Sequence, residues 1–289
     1  MATVLITGTS KGIGLATALT LARAGHTVYA TMRSADRAVE LAEEAAQELL
    51  SIHYSVMDVD SDESVATSIA AIQQAAGPID VLVNNAGVAR SGSVEELSMD
   101  DIRAIMETNY FGAIRCAKAV IPQMRQRGSG LIINVASVAG RVSTSPLGLY
   151  SASKFALEAL SEALAQEMKT FGVRVAIVEP GIIDTPMAHG IEEPMPATLY
   201  PQQKRMAAYF AAALKTPTPP SLVAEKIQEI IESGTWQLRH PVGPGAEPLL
   251  ESRKATSDED YVAFHGMADD DAWYEATEQR TGMVLRPKA

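Results

Sequence analysis

The sequence predicts a doubly wound α/β fold: an open parallel sheet of about seven strands with helices on both faces. Three observations predict it. Short apolar, β-branched runs alternate with longer helical patterns along most of the chain. Several of the runs lack the polar alternation of a half-exposed strand and read as central strands of a parallel sheet. A cluster of glycines stands where the first run gives way to the first helical pattern, and right-handed strand–helix–strand crossovers then place helices on both faces.

The runs, in order, are 3–8 (TVLITG), 26–33 (HTVYATMR), 51–59 (SIHYSVMDV), 79–87 (IDVLVNNAG), 131–137 (LIINVAS), 173–181 (VRVAIVEPG) and, more weakly, 236–243 (WQLRHPVG). Helical patterns occupy roughly 12–24, 35–50, 61–76, 99–127 and 150–171. Ser61 and Ser98 stand where N-caps belong, each followed by acids in the first turn. The alternation stops after Gly181. Residues 184–220 are rich in Pro, Met and Ala and read as an insertion above the sheet, with a helix near 199–214. The acidic end, 255–289, reads as a solvated helix plus a terminal arm. The whole, 1–289, is expected to be one domain.

Composition excludes several classes. A net charge of -11 argues against a nucleic-acid surface. No apolar run approaches a membrane span. Cys116 is the single cysteine, which rules out an internal disulfide and suits a reducing compartment; a cytoplasmic protein is expected. The five histidines do not pair with one another or with the cysteine at ligand spacing, so no metal site is expected.

The glycine cluster, TGTSKGIG, places Gly8, Gly12 and Gly14 around Ser10, Lys11 and Ile13. Glycines there permit a tight turn and close approach of backbone to a pyrophosphate, and the helix N-terminus supplies N–H donors. In many dinucleotide sites an acid at the end of the second strand binds the ribose 2′-hydroxyl. Here Met32 and Arg33 occupy that place. Arg33, helped by Lys11, suits a 2′-phosphate and so NADP over NAD. The alternative is that both are solvated surface cations.

Tyr150 and Lys154 are four residues apart and share a helix face. A phenol titrates near ~10, and bringing it towards ~7 takes roughly 4 kcal/mol, within reach of a close cation together with a positively charged cofactor ring. A phenol so tuned is a general acid and base. The small Ser151, Ala152 and Ser153 between them would leave room for substrate and cofactor. The pattern alone also fits an amphipathic helix with a surface lysine. Its context favours chemistry: Ser137, the Asn84–Gly87 segment and Pro180–Gly181 all stand at the carboxyl ends of predicted strands, where open α/β sheets bind ligands. Asn109, inside an otherwise apolar helical stretch, needs a hydrogen-bond partner.

In order and spacing, TGTSKGIG, NNAG, Asn109, Ser137, YSASK and the following PG resemble the single-domain branch of the short-chain dehydrogenase/reductase family. The resemblance is strong over about 1–185 and loose over 219–243, and within the family it leans towards the hydroxysteroid and retinol dehydrogenases. It implies a seven-stranded Rossmann-type sheet, a nicotinamide cofactor and metal-free hydride transfer. Tyr150 would exchange a proton with the substrate oxygen and Ser137 would hydrogen-bond that oxygen. Lys154 would grip the nicotinamide ribose, and Asn109 would hold a relay water. Asp58 and Val59 would lie beside the adenine, with Asn85, Ala86 and Gly87 along the adenosine side. Pro180 and Gly181 would lead to Ile183 and Thr185 at the carboxamide. The resemblance also favours a homodimer or homotetramer paired through the helices at 99–127 and 150–171.

Two other classes compete. An epimerase or dehydratase of the extended branch would share Tyr-x-x-x-Lys, but with a differently spaced glycine loop and a longer C-terminal domain. A non-catalytic NADP-binding sensor would typically lose the Ser or the Tyr. The substrate is expected to be a bulky, apolar carbonyl or alcohol. Met187, Met195, Leu199, Tyr200, Met206, Tyr209, Phe210 and Leu214 crowd the insertion, and pliant Met side chains suit irregular apolar shapes. Prolines 186, 194, 196, 201, 217, 219 and 220 would shape that segment. The alternative is that these side chains only pack the insertion onto the sheet or a partner subunit.

Overall fold

The computed structural model describes residues 1–192 and 198–286. Seven parallel strands form one sheet: β1 Thr3–Thr7, β2 Thr27–Met32, β3 Ile52–Val56, β4 Val81–Asn84, β5 Gly130–Val135, β6 Val173–Pro180 and β7 Arg239–Val242. Their order is β3-β2-β1-β4-β5-β6-β7, so the chain winds one way from β1 and then reverses. The crevice at that reversal, between β1 and β4, is where doubly wound sheets take ligands.

The helices are α1 Gly12–Arg23, α2 Val39–Gln47, α3 Asp62–Ala76, α4 Met99–Met106, α5 Gly112–Arg127, α6 Gly148–Lys169, α7 Pro186–Glu192, α8 Pro201–Ala213, α9 Pro220–Ser233, α10 Ala246–Ala255, α11 Asp258–His265 and α12 Asp270–Thr281. One apolar core lies between the sheet and α1, α2 and α9, and includes Leu19, Leu41 and Ile227. The other lies beneath α3, α5 and α6 and includes Ile69, Val120 and Leu164. Both faces are covered, which is why the central strands carry almost no exposed side chain. The expected caps form: Ser61 Oγ accepts from Ser64 N–H at 3.2 Å and Ser98 Oγ from Asp101 N–H at 3.1 Å.

The structure departs from expectation in three places. The helix at 99–127 is interrupted by a π-helical turn, Glu107–Phe111, joining α4 to α5. Residues 220–233 form α9, which covers the sheet; the sequence reading placed no helix there. The acidic end is docked rather than solvated. Phe264 and Trp273 are buried on α11 and α12, and Arg205 of α8, 1% exposed, pairs with Asp270 at 2.6 Å and donates to the carbonyl of Met267 at 2.9 Å. The acids that made this end look solvated lie on the outer faces and helix starts. Met195, Pro194 and Pro196 of the insertion and residues 287–289 lie outside the described residues.

Candidate active site

The glycine loop is shaped by β1 and β4. The backbone N–H groups of Gly8 and Thr9 both donate to the carbonyl of Thr31, at 2.9 and 3.1 Å, which sets the loop against the end of β2. Gly8 has φ +70°, and a Cβ there would lie 2.7 Å from Ala86 Cα; a Cβ on Gly14 would lie 2.2 Å from the Gly8 carbonyl oxygen. Only glycine fits either place. The Thr7 hydroxyl accepts from the N–H groups of Asn85 and Ala86 at 3.0 and 2.9 Å. The Asn85 amide donates to the Thr7 and Gly8 carbonyls at 2.9 and 3.0 Å. Asn85 therefore acts here as a brace between β4 and the loop.

This cradle fits a dinucleotide. The N-terminus of α1 has no side-chain cap and no acid in its first turn, so its orphan N–H groups and dipole face outward for an anion. Lys11 and Arg33 are both exposed beside it, whereas Met32 is buried. Thr185 stands over the loop, its Cγ2 3.2 Å from where a Cβ on Gly12 would lie. Ile183 is buried between this segment and the sheet. Pro180 and Gly181 close the end of β6, where Gly181 N–H donates to Val242. Asp58 and Val59 follow β3. The Asp58 carboxylate accepts from Asp60 N–H at 3.2 Å, and Val59 is buried against Gly112.

The four candidate catalytic residues converge at the carboxyl ends of β4 and β5. Ser137 follows β5 and is buried; its hydroxyl donates to the Pro180 carbonyl at 3.3 Å and accepts from Ala139 N–H at 3.1 Å. Lys154, 4% exposed, donates from Nζ to the Val135 carbonyl at 2.8 Å. Gly87 lies next to it: a Cβ there would stand 3.8 Å from Lys154 Nζ and 3.4 Å from Asn109 Oδ1. Asn109, 1% exposed, sits in the π-helical turn. Its Oδ1 accepts from Val88 N–H at 2.8 Å, and its Nδ2 donates to the Val88 carbonyl and to Ser153 Oγ, each at 2.9 Å. Both Nδ2 hydrogens are engaged, so a relay water would find acceptors but no amide donor at this side chain.

Ser151 and Ser153 do not create room, as the sequence reading expected. Both are buried, and Ser153 links Asn109 to the Tyr150 carbonyl, donating to it at 2.7 Å. A second link escaped the sequence reading. Asn84 Nδ2 donates to Asn134 Oδ1 at 2.9 Å, Asn134 Nδ2 donates to Ser161 Oγ at 2.8 Å, and all three residues are buried. This ladder fixes the height of α6 against β4 and β5. Polar residues inside two adjacent apolar strands were its only trace in the sequence.

Burial pushes the Tyr150 phenol up to about 12, with the Ser137 hydrogen bond acting against it. Burial also lowers Lys154 to about 8, opposed by the charge of Glu158. The protein groups alone therefore do not bring Tyr150 to neutrality. A bound cationic nicotinamide would have to supply the remainder. Cys116 is buried and its thiol is pushed to about 12, which makes it a packing residue. Among the described residues no group of three His, Cys, Asp or Glu stands ready for a metal ion, and no helix is long and apolar enough to cross a membrane.

The insertion folds onto the N-terminal end of α6. Leu147, three residues before Tyr150, packs with Ala188, Ile191 and Phe210, flanked by Met206, Tyr209 and Leu214. Beside it an open cleft of about 530 Å³ is lined by Ser93, Val94, Glu95, Ser145, Tyr200 and Gln202.

The family model for short chain dehydrogenases matches residues 2–196. Retinol dehydrogenase 8 from Bos taurus is 37% identical over 263 residues, spanning 86% of this chain and 83% of that one. A short-chain dehydrogenase from Streptomyces avermitilis superposes with a TM-score of 0.77 at 30% identity, covering 96% of this chain and 98% of the other. An actinorhodin polyketide ketoreductase solved with NADPH superposes with a TM-score of 0.76 at 30% identity, covering 84% of this chain and 96% of the other. With its glycine cradle, its strand order and its match over two thirds of its length, the chain belongs to the short-chain dehydrogenase/reductase family and is an NAD(P)-dependent oxidoreductase.

Proposed function

We propose that the chain uses NADP(H) to interconvert a bulky, largely apolar carbonyl compound and its secondary alcohol. The observation that carries this reading is the convergence of Ser137, Tyr150, Lys154 and Asn109 beside the glycine cradle. A bound nicotinamide would supply the hydride in reduction and accept it in oxidation. In reduction the Tyr150 hydroxyl gives its proton to the substrate oxygen as the carbonyl electrons move onto it; in oxidation the phenolate takes that proton back. Ser137 donates a hydrogen bond to the same oxygen where charge develops. Lys154 would hold the ribose and keep the phenolate accessible, and Asn109 would set the position of the relay.

Cofactor choice rests on the exposed Arg33 and Lys11 beside the loop and on the apolar Met32 where an acid would select NAD. Substrate class rests on the apolar insertion packed beside Tyr150 and on a relative named for retinol, an apolar alcohol. Pockets of this kind are mostly apolar with a few fixed polar groups. The reading includes a cytoplasmic homodimer or homotetramer. The test is turnover of NADPH along a series from small ketones to multi-ring ones. Each additional buried CH₂ should raise kcat/KM by up to about 0.8 kcal/mol while the cleft has room. A flat series, or preference for small charged ketones, would assign the insertion to packing alone.

A further inference from the structure

Behind Lys154, α6, β6, β7 and the turn after Ser137 bring together a cluster of charge that hydride transfer itself does not require. Glu158 lies one turn further along α6 and is 4% exposed; Glu179, near the end of β6, is fully buried. Arg239 of β7 meets Glu158 at 3.0 Å and Glu162 at 2.6 Å, and stands 3.9 Å from Glu179. Arg141, four residues after Ser137, grips Glu179 at 3.1 Å. One oxygen of each buried carboxylate, Oε1 of Glu158 and Oε2 of Glu179, has no hydrogen-bond partner. A Cβ on Gly140 would lie 2.9 Å from Glu158 Cγ and 3.1 Å from the Lys154 carbonyl oxygen. The turn that carries Ser137 is thus pressed directly onto the Lys154–Glu158 face.

Buried ionic clusters add little net stability, because desolvation offsets the attraction. What this one supplies, once Glu158 is ionised, is a negative charge behind a buried ammonium. We propose that Glu158 is a positioning residue for the catalytic pair: its carboxylate, held by Arg239, keeps the Lys154 ammonium charged, while Arg141 and Glu179 hold the Ser137 turn in place against it. The inference rests on the Tyr150–Lys154 reading above.

The charged groups facing Glu158 are Lys154 and Glu162 from its own helix, Arg141 from the turn, Glu179 from β6 and Arg239 from β7. His240, next on β7, is lowered from its ordinary value by burial. Burial and Glu179 raise Glu158 to about 7, against the pull of Arg239 and Arg141. Lys154 sits at about 8 and is raised by the Glu158 charge. Burial pulls Lys154 down and the Glu158 charge pushes it back up, so an ionised Glu158 opposes the loss of that proton.

The experiment is the pH profile of kcat/KM for wild type, Glu158→Gln, Glu158→Asp and Tyr150→Phe, with NADPH and the best ketone of the size series. Glu158→Gln should move the alkaline limb by about one pH unit towards acid, with the plateau near about pH 6 within about threefold of wild type. Glu158→Asp keeps the charge and should restore the limb. In the wild type, difference infrared spectroscopy should show a protonated carboxyl C=O stretch that disappears near neutral pH; this band should be missing from Glu158→Gln. If Glu158→Gln does not fold, the wild-type band and the Glu158→Asp profile decide. A uniform loss of activity with an unmoved limb, or no carboxyl titrating near neutrality, would overturn the proposal. An inactive Tyr150→Phe beside an unmoved Glu158→Gln limb rejects this inference alone, whereas an active Tyr150→Phe rejects the catalytic assignment beneath it.

Discussion

Lys154 Nζ stands 5.8 Å from the centre of the Tyr150 ring, over its face, while its hydrogen bond goes to the carbonyl of Val135. The lysine therefore influences the phenol through space and is anchored by β5. Tyr150→Phe keeps the ring and this packing and removes only the hydroxyl that carries the proton. The expected result is a loss of about 10²–10⁴ in kcat with cofactor binding retained. Stopped-flow turnover and cofactor fluorescence check it; retained turnover would sink the assignment.

Arg33→Ala should erode the preference for NADP(H). A charge-assisted contact to a phosphate contributes about 1.5–3 kcal/mol, or roughly ten- to a hundredfold in kcat/KM. The NAD(H) reaction should change little, because Arg33 is exposed and has no part in the core. Equal efficiency with both cofactors in the wild type would show that Arg33 is only a solvated cation.

The apolar residues of α6 divide between two faces. Leu157, Leu164 and Met168 are buried beneath the sheet-side core, whereas Ala152, Phe155, Ala159 and Ala163 form an exposed stripe. Phe111, at the start of α5, is also exposed. An exposed apolar stripe of this kind on a long helix suits a two-fold interface. Light scattering at micromolar concentration should give at least a dimer mass, and Phe155→Asp should lower it. A monomeric wild type would remove this reading.

Stability should carry the signature of the two buried titrating groups. Glu158 is raised from 4.5 to about 7, so the folded state holds the extra proton between those values and stability falls as pH rises through that window. Lys154 is lowered from 10.5 to about 8, so above about 8 the unfolded state holds the extra proton and stability rises again towards 10.5. In urea melts, Glu158→Gln should gain stability relative to wild type as pH is raised from about 4.5 to about 7. A difference that does not vary with pH would show that Glu158 titrates normally.

Much of the site is visible in the sequence because its signals are local. Glycine spacing at the end of an apolar run, Tyr150 four residues before Lys154, and Ser137 and Gly181 at strand ends all report backbone constraints within a few residues. Strand bounds agree with the runs to within a few residues because both faces of the sheet are buried and the runs are nearly continuous. The seventh strand was the weakest signal because β7, at the edge, is short and contains Pro241.

The remaining features depend on residues far apart in sequence. Asn109 reads in the sequence as a helix residue in need of a hydrogen-bond partner, but the π-helical turn around it and its bonds to Val88 and Ser153 exist only once α4, α5 and α6 are packed. The docking of α11 and α12 rests on Arg205 meeting Asp270, 65 positions away, a pairing that no local periodicity reports. The chain's own letters settle the strands and the helices that alternate with them as far as β6, and the end of the sheet that faces the glycine loop, since hydrophobic period, glycine freedom and capping act over one or two turns. Tertiary structure alone decides that Asn84 meets Asn134 and Ser161, that Thr7 braces Asn85, and that Glu158, Glu179, Arg141 and Arg239 gather behind Lys154. A buried polar group must find its partner wherever the packed chain brings one within hydrogen-bond reach.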